Sequence, residues 1–266
     1  MVNSANSTIY DRLISLHNKI GLDYSPDPNT TLNEKLGVYP NIDIKDKRPI
    51  LSYVGIGNGG NNVIYDVLKT SNHEVKDSSL FNHVPFLIIE KSKDLTIQER
   101  ADYRLRKETV INGVEYVEYY LKKLSNITKP EVFIVEKTGE LTTRLKSFNF
   151  NDASILNPTP KVKEDFLDAN KTTYVAVTCN ASFGLSELEV NNIKAAIELK
   201  YGPDSPKIIS EICLFTGVEQ NMANGPEALS VQAAFFQTVQ YDLQSMLYAK
   251  GVSLRDIQIG GMEVLK

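Results

Sequence analysis

The chain has 266 residues, of which 42% are hydrophobic and 23% charged, and its formal net charge is -4. This length and composition are typical of a globular protein with a sizeable core and exclude a disordered or low-complexity chain. The acidic balance argues against non-specific nucleic-acid binding, because neutralising phosphates needs a basic surface.

No targeting or membrane segment is evident in the sequence. The first eight residues are polar and uncharged, without the apolar core of a signal peptide. No run approaches the roughly 18 apolar residues of a membrane span. Two cysteines, Cys179 and Cys213, each lie in an apolar run and are interpreted as small buried thiols. We therefore expect folding in a reducing cytoplasm and no membrane partner.

The N-terminal region divides into a helix and an arm. Residues 7–21 predict a helix that Ser7 or Thr8 can cap and that Gly21 ends. Residues 22–49 contain four prolines and no clear period, which predicts an extended arm. The predicted division is thus 1–49 for the N-terminal helix and arm and 50–266 for the core domain. We expect this region to act between subunits through its apolar residues, which are Ile9, Leu13, Leu16 and Leu36.

The first strand runs directly into a glycine-rich segment. Gly55, Gly57 and Gly60 have the spacing G-x-G-x-x-G. Within a βαβ unit this spacing indicates a dinucleotide site, with Glu74 or Asp77 as the required acid. Within antiparallel strands it is a turn that lets backbones approach closely. Residues 61–79 are open to either a short helix or a strand and loop.

Antiparallel hairpins are predicted in the middle of the chain. Two β-rich runs, 102–111 and 114–124, flank Asn112-Gly113, the pair that favours a type I′ turn. A second hairpin is predicted from 132–136 and 141–150, turning at Gly139. This context favours the turn interpretation of the glycines over the dinucleotide site.

The C-terminal part predicts two strands and two helices. Strands are expected at 172–181 and 207–218. Ser186 and Glu189 form a capping box for a helix that ends at Gly202. A last helix is predicted at 226–250, and the tail after it should hold one short strand at most. The fold class expected is α+β: a largely antiparallel, sandwich-like sheet with an N-terminal helix and arm and two C-terminal helices packed on the sheet.

The residues show no catalytic, cofactor or metal site. The three histidines, His17, His73 and His83, lie in no metal-ligating motif. The strand Tyr103–Arg106 alternates aromatic and basic residues, which fits either an RNA-binding face or a half-exposed strand. We therefore predict no enzyme activity and no sequence-specific nucleic-acid binding.

Four stretches of the chain resemble virion structural proteins of large contractile-tailed bacteriophages. They are Thr31–Pro40, Tyr53–Gly60, the group Asp94-Leu95-Thr96, Glu99-Arg100 and Tyr103–Arg106, and Ile208–Val218. The resemblance implies a multi-copy assembly subunit of the head–tail neck or connector, or alternatively of the tail or baseplate. It implies copies of itself and other virion proteins as partners, and synthesis in the bacterial host cytoplasm before incorporation into the virion. The alternatives from other classes are a nucleotide-binding enzyme that uses Gly55–Gly60 and a nucleic-acid-binding accessory protein.

Overall fold

The computed structural model describes residues 6–40, 42, 44, 47–64, 67–138, 141–152, 155–158, 171–244 and 253–264. The strands are β1 (Asn6–Ser7), β2 (Ile50–Gly57), β3 (Asn61–Ile64), β4 (Val67–Thr70), β5 (His83–Val84), β6 (Leu87–Glu90), β7 (Tyr103–Ile111), β8 (Val114–Lys123), β9 (Asn126–Ile127), β10 (Glu131–Thr138), β11 (Leu141–Ser147), β12 (Lys171–Leu185), β13 (Ile208–Met222), β14 (Gly225–Asp242) and β15 (Ser253–Val264). The α-helices are α1 (Ile9–Ile20), α2 (Leu32–Leu36) and α3 (Glu187–Tyr201).

The strands form two larger antiparallel sheets and one two-stranded ribbon. The main sheet has the order β1-β14-β13-β2-β8-β6, with β5 beside β2 and β7 beside β8. The second sheet has the order β11-β10-β12-β15, with β9 beside β12, and β3 pairs with β4 alone. The predicted class is confirmed: the fold is α+β, largely antiparallel, with helices packed on the sheet.

Both predicted hairpins are present. β7 and β8 pair in register from Tyr103 opposite Lys122 to Ile111 opposite Val114. The turn residues Asn112 and Gly113 have φ values of 51° and 78°, the left-handed conformations that a type I′ turn requires. β10 pairs with β11, although the predicted turn residue Gly139 lies outside the described residues.

The predicted helix at 226–250 is wrong over residues 226–242, which belong to the long strand β14, whereas Leu243 and Gln244 are helical. The segment Val231–Phe236 is continuously buried, because its side chains enter two core clusters, with Ala234 and Phe235 in one and Val231, Ala233 and Phe236 in the other. A strand buried on both faces has no polar alternation, so its apolar positions also satisfy a helical period. The tail prediction is wrong as well, since β15 pairs with β12 over its full twelve residues. Of the two predicted C-terminal helices, α3 is therefore the one confirmed, and residues 245–250 of the other lie outside the described residues.

Helix α3 covers one face of the main sheet. Its capping box is formed, with Ser186 accepting from the Glu189 backbone and the Glu189 side chain accepting in return. Val190, Ile193 and Ile197 are 2%, 0% and 0% exposed and pack with residues of β2, β13 and the end of β12. These three residues, spaced three and four positions apart, form the buried face of the helix.

The described part of the predicted arm packs on the core of its own chain. Leu32 is fully buried and Leu36 is 8% exposed, so Leu36 does not offer the intersubunit contact expected of it. The Asn33 amide donates to the carbonyl of Ala228 at 2.9 Å and accepts from the Val231 backbone N–H at 2.9 Å. These bonds join α2 to β14, so packing is continuous across the predicted boundary between residues 49 and 50.

The stretches that carry the resemblance meet in one core cluster. Each stretch contributes one residue to a single core cluster on the main sheet; these residues are Leu36, Tyr53, Leu105 and Phe215. The resemblance therefore follows the centre of the fold rather than its periphery.

Candidate assembly surface

The glycine-rich segment belongs to an antiparallel pair. β2 pairs with β13, with Gly55 opposite Cys213 and Gly57 opposite Glu211. After Gly60 the chain continues into strand β3, which pairs with β4. Of the two options open for residues 61–79, the structure has the strand, and the dinucleotide motif needs a helix at this point.

The backbone N–H groups of the glycine segment bind the protein itself. Gly59 N–H donates to Glu211 Oε1 at 3.0 Å, and Gly60 N–H donates to Ser210 Oγ at 2.9 Å. A Cβ added to Gly57 would lie 2.5 Å from the carbonyl oxygen of Asn82. The glycines therefore let two segments approach closely, and in this structure these N–H groups are not available to a phosphate.

A buried carboxylate, that of Glu211, receives the bonds from these segments. Besides Gly59, the backbone N–H groups of Phe81 and Asn82 donate to it at 3.0 Å. His73 Nε2 lies 2.8 Å from Glu211 Oε2, and His73 Nδ1 lies 3.2 Å from Asp77 Oδ2. The carboxylate is fully buried and has four partners, so it joins the 58–60 and 73–82 segments to β13 rather than offering a reactive group.

Asp77 and Glu74, the candidate acids of a dinucleotide site, both have partners within the chain. Asp77 bonds to His73 and accepts from the Glu74 backbone N–H at 2.9 Å. The Glu74 carboxylate pairs with Lys76 on an exposed surface. The His73 ring is stacked between the rings of Phe81 and Phe236, with centroids 4.0 Å from each.

His83 is a second buried histidine. Burial, together with the charges of Lys35 and His73, holds its pKa well below the ordinary value of a histidine. Its Nε2 accepts a hydrogen bond from the Leu80 backbone N–H at 3.2 Å, which requires the neutral ring. Both His73 and His83 therefore stabilise loops at the edge of β2.

The basic residues of the Tyr103–Arg106 strand are paired within the chain. Arg104 is 2% exposed and binds Glu219, while Arg106 binds Asp94 and Glu108. These pairs neutralise the positive charge that a nucleic-acid face would use. Among the described residues, no group of three or more His, Cys, Asp or Glu side chains is arranged to hold a metal ion.

The surface that stands out is the outer face of α1. The predicted apolar stripe of this helix is exposed, and it continues into Leu22 and into Val75 of the neighbouring loop. We call this surface the α1 patch; its members are Ile9 (46% exposed), Leu13 (37%), Leu16 (53%), Ile20 (56%), Leu22 (58%) and Val75 (57%).

The helix that carries the α1 patch is firmly attached by its other side. Ile14 is 4% exposed and α1 lies against β14. The Thr8 hydroxyl donates to the buried carbonyl of Ala233 at 2.6 Å and caps the helix by accepting from Asp11 N–H. The Ile9 N–H donates to the Val75 carbonyl at 2.9 Å. The stripe is therefore exposed because the helix is fixed in this rotation, and not because its end is frayed.

The sequence identified the residues of this stripe but did not show whether they face the core or the solvent. Ile14 has no distinguishing local signal, and burial on β14 could be found only from the fold. Apolar residues at 9, 13, 16 and 20 follow the alternating steps of four and three of a helix–helix seam. A rigid helix with such a seam exposed is a candidate surface for contact with another molecule.

The fold and this surface define an antiparallel α+β protein with an exposed amphipathic helix. The chain belongs to the DUF7208 family, a family of unknown function whose model matches residues 2–248. No curated protein and no solved structure matches the chain significantly. In the described part of the chain, none of the helices has the length and apolarity needed to cross a bilayer.

Proposed function

We propose that this protein is a bacteriophage virion structural protein, a multi-copy assembly subunit of the head–tail neck or connector of a contractile-tailed phage. The alternative placement is the tail or baseplate of the same virion. The observation that carries the proposal is the α1 patch: four exposed apolar side chains on a helix that is rigidly held by its opposite face, with Leu22 and Val75 beside them. A surface of this kind is covered when the subunit joins an assembly.

The sequence resemblance supplies the virion context. The stretches that resemble phage structural proteins converge in one core cluster, which is what a shared fold would produce. The buried carboxylate, histidines and arginines have partners within the chain and serve to hold loops together. This use of polar groups favours an assembly role over a reaction.

The proposal is tested on purified particles of the phage that encodes this chain. We expect mass spectrometry to find the protein in stoichiometric, multi-copy amounts, and a virion reconstruction to place it in the neck. Density in the tail or baseplate would select the alternative placement. Detection in infected cells but not in particles purified on a density gradient would overturn the proposal.

A further inference from the structure

A cavity of about 310 Å3 lies between the predicted arm, residues 22–49, and strand β14. Exposed residues of the arm, among them Ser25 and Asp27, line its outer part. The buried residues Asn33 of α2 and Ser230 of β14 line its inner part. The volume is at the lower end of the range for ligand pockets, so the cavity suits a small chemical group rather than a nucleotide.

Ser230 has an unusual backbone conformation at this cavity. Between the pairs Val218–Leu229 and Thr216–Gln232, β14 has two residues where β13 has one, which is a β-bulge. The φ value of Ser230 is 50°, in the left-handed region where a bulge of this kind usually has glycine. A side chain that is kept at a position of backbone strain indicates a use for that side chain.

The Ser230 side chain is directed into the cavity without a partner on the protein. Ser230 is 7% exposed, and its hydroxyl makes no hydrogen bond within the part of the chain that the structure describes. Tyr39 also lines the cavity with a positive φ value, 47°, and its hydroxyl likewise has no partner among the described residues. A buried hydroxyl normally has a hydrogen-bond partner, so these groups indicate a ligand that supplies one.

The charged residues of the cavity are acidic. Asp27 and Glu34 line it, and its described lining includes no Lys, Arg or His. The Asp27 carboxylate makes no hydrogen bond or ion pair with the described residues. Burial opposes the ionisation of Glu34, but hydrogen bonds from Thr31 and from the backbone of Asn29 outweigh it and lower the pKa of this carboxyl. The cavity therefore favours a ligand with a positive charge.

The lining favours an organic cation over a metal ion. No three His, Cys, Asp or Glu side chains among the described residues are arranged to hold a metal. An ammonium group has three N–H donors and no acceptor, so it can pair with a carboxylate and donate to hydroxyl oxygens at the same time. Asp27, Tyr39 and Ser230 offer those two kinds of acceptor around one cavity.

We propose that this cavity binds a primary ammonium group, with Asp27 as the counter-ion and the Ser230 hydroxyl as a hydrogen-bond acceptor. A free amine and the lysine side chain of a partner protein both carry this group. The inference does not depend on the proposed function, because it follows from the cavity alone.

The test is a titration of the full-length protein with n-butylammonium chloride, followed by heteronuclear NMR. The neutral control ligand is 1-butanol, which has a similar shape. We expect n-butylammonium to shift the amide signals of residues 25–39 and 228–232, and 1-butanol to leave them unchanged. Binding of n-butylammonium should weaken as the salt concentration rises, because the contact with Asp27 is an ion pair.

Three variants assign the binding to the cavity. Asp27→Asn and Ser230→Ala should each weaken binding by about tenfold, the usual loss for a hydrogen bond to a charged group. Asp23→Asn is the matched control, because Asp23 is an exposed carboxylate of the same arm that does not line the cavity. It should leave the affinity within about twofold. Thermal melting shows whether each variant is folded, and the exposed position of Asp27 lets Asp27→Asn decide the result by itself.

Two further ligands distinguish the sources of the ammonium group. Titrations with 1,4-diaminobutane and with Nα-acetyl-lysine methylamide are compared with n-butylammonium. Tighter binding of the diamine assigns the site to a free amine, whereas tighter binding of the lysine derivative assigns it to a protein side chain. Equal shifts with 1-butanol, or an equal loss of affinity in Asp27→Asn and Asp23→Asn, would overturn the proposal. The absence of amide shifts with n-butylammonium would overturn it as well.

Discussion

Helices α1 and α3 have similar sequence signals and opposite placements. Each begins at a hydroxyl cap and carries an apolar stripe at helical spacing. In α3 the stripe residue Ile193 is fully buried, whereas in α1 the stripe residue Leu16 is 53% exposed. Periodicity thus identifies an amphipathic helix but not the molecule that covers its apolar face.

The sharpest test of this difference truncates one apolar residue in each helix. Ile193→Ala should lower the free energy of unfolding by about 2–5 kcal/mol, because it leaves a cavity between α3 and the main sheet. Leu16→Ala should change it by less than about 0.5 kcal/mol, because its side chain has no core contact to lose. Urea denaturation of both variants gives the comparison. Equal losses would mean that the α1 stripe is buried in the isolated protein.

The two helix caps should also differ. Ser186→Ala should cost about 1 kcal/mol, the usual loss of an N-cap. Thr8→Ala should cost more, up to about 3 kcal/mol, because it also leaves the buried Ala233 carbonyl without its 2.6 Å hydrogen bond. Thermal unfolding of the two variants, with Thr8→Ser as the control that keeps the hydroxyl, measures the difference. A smaller loss for Thr8→Ala than for Ser186→Ala would contradict the attachment of α1 described above.

The free energy of unfolding should depend on pH through His83, which lies under the end of α3. The Tyr201 hydroxyl of α3 donates to the His83 carbonyl at 2.8 Å, so the histidine lies beneath the helix end. Its pKa is lowered in the folded state by burial and by the charges of Lys35 and His73, so the unfolded chain takes up a proton first. The stabilisation by neutral His83 is therefore complete above the unfolded value of about 6.5 and declines as the pH falls below it.

Urea denaturation at pH 7 and pH 5 checks this expectation. The free energy of unfolding should be lower at pH 5, and His83→Gln should reduce the difference, since glutamine can accept from Leu80 N–H without titrating. Leu16→Ala, on the exposed stripe, should keep the pH dependence of the unmodified protein. The same pH dependence in His83→Gln would assign the effect to another group.

The smallest expected effect concerns the glycine segment. Calorimetric titration with NAD, NADP and FAD should show no saturable heat, because the Gly59 and Gly60 N–H groups already bind Glu211 and Ser210. Micromolar binding would revive the alternative of a nucleotide-binding enzyme. Gly57→Ala is unsuitable as the control, since its Cβ would collide with the Asn82 carbonyl, so binding would be mapped with Ser210→Ala.

Local chemistry was sufficient where a single position demands a particular residue. Asn112-Gly113 supplied both positive φ values of its turn, and Thr8, Ser186 and Gly21 marked helix ends through their capping bonds. The seam residues of the α1 patch could also be found from their spacing. These features depend on neighbours a few residues away, which the sequence shows directly.

The tertiary structure alone decided the features that depend on distant partners. The segment 225–242 is a strand because it pairs with β13 from end to end, although its apolar spacing also fits a helix. The glycine segment lies close to β13 because Gly57 is opposite Glu211 and Gly59 N–H donates to its carboxylate. Likewise, α1 shows its stripe to solvent because Ile14 and Thr8 attach its other face to β14. Burial is a property of the whole fold, so no local pattern could determine which face of α1 would be left uncovered.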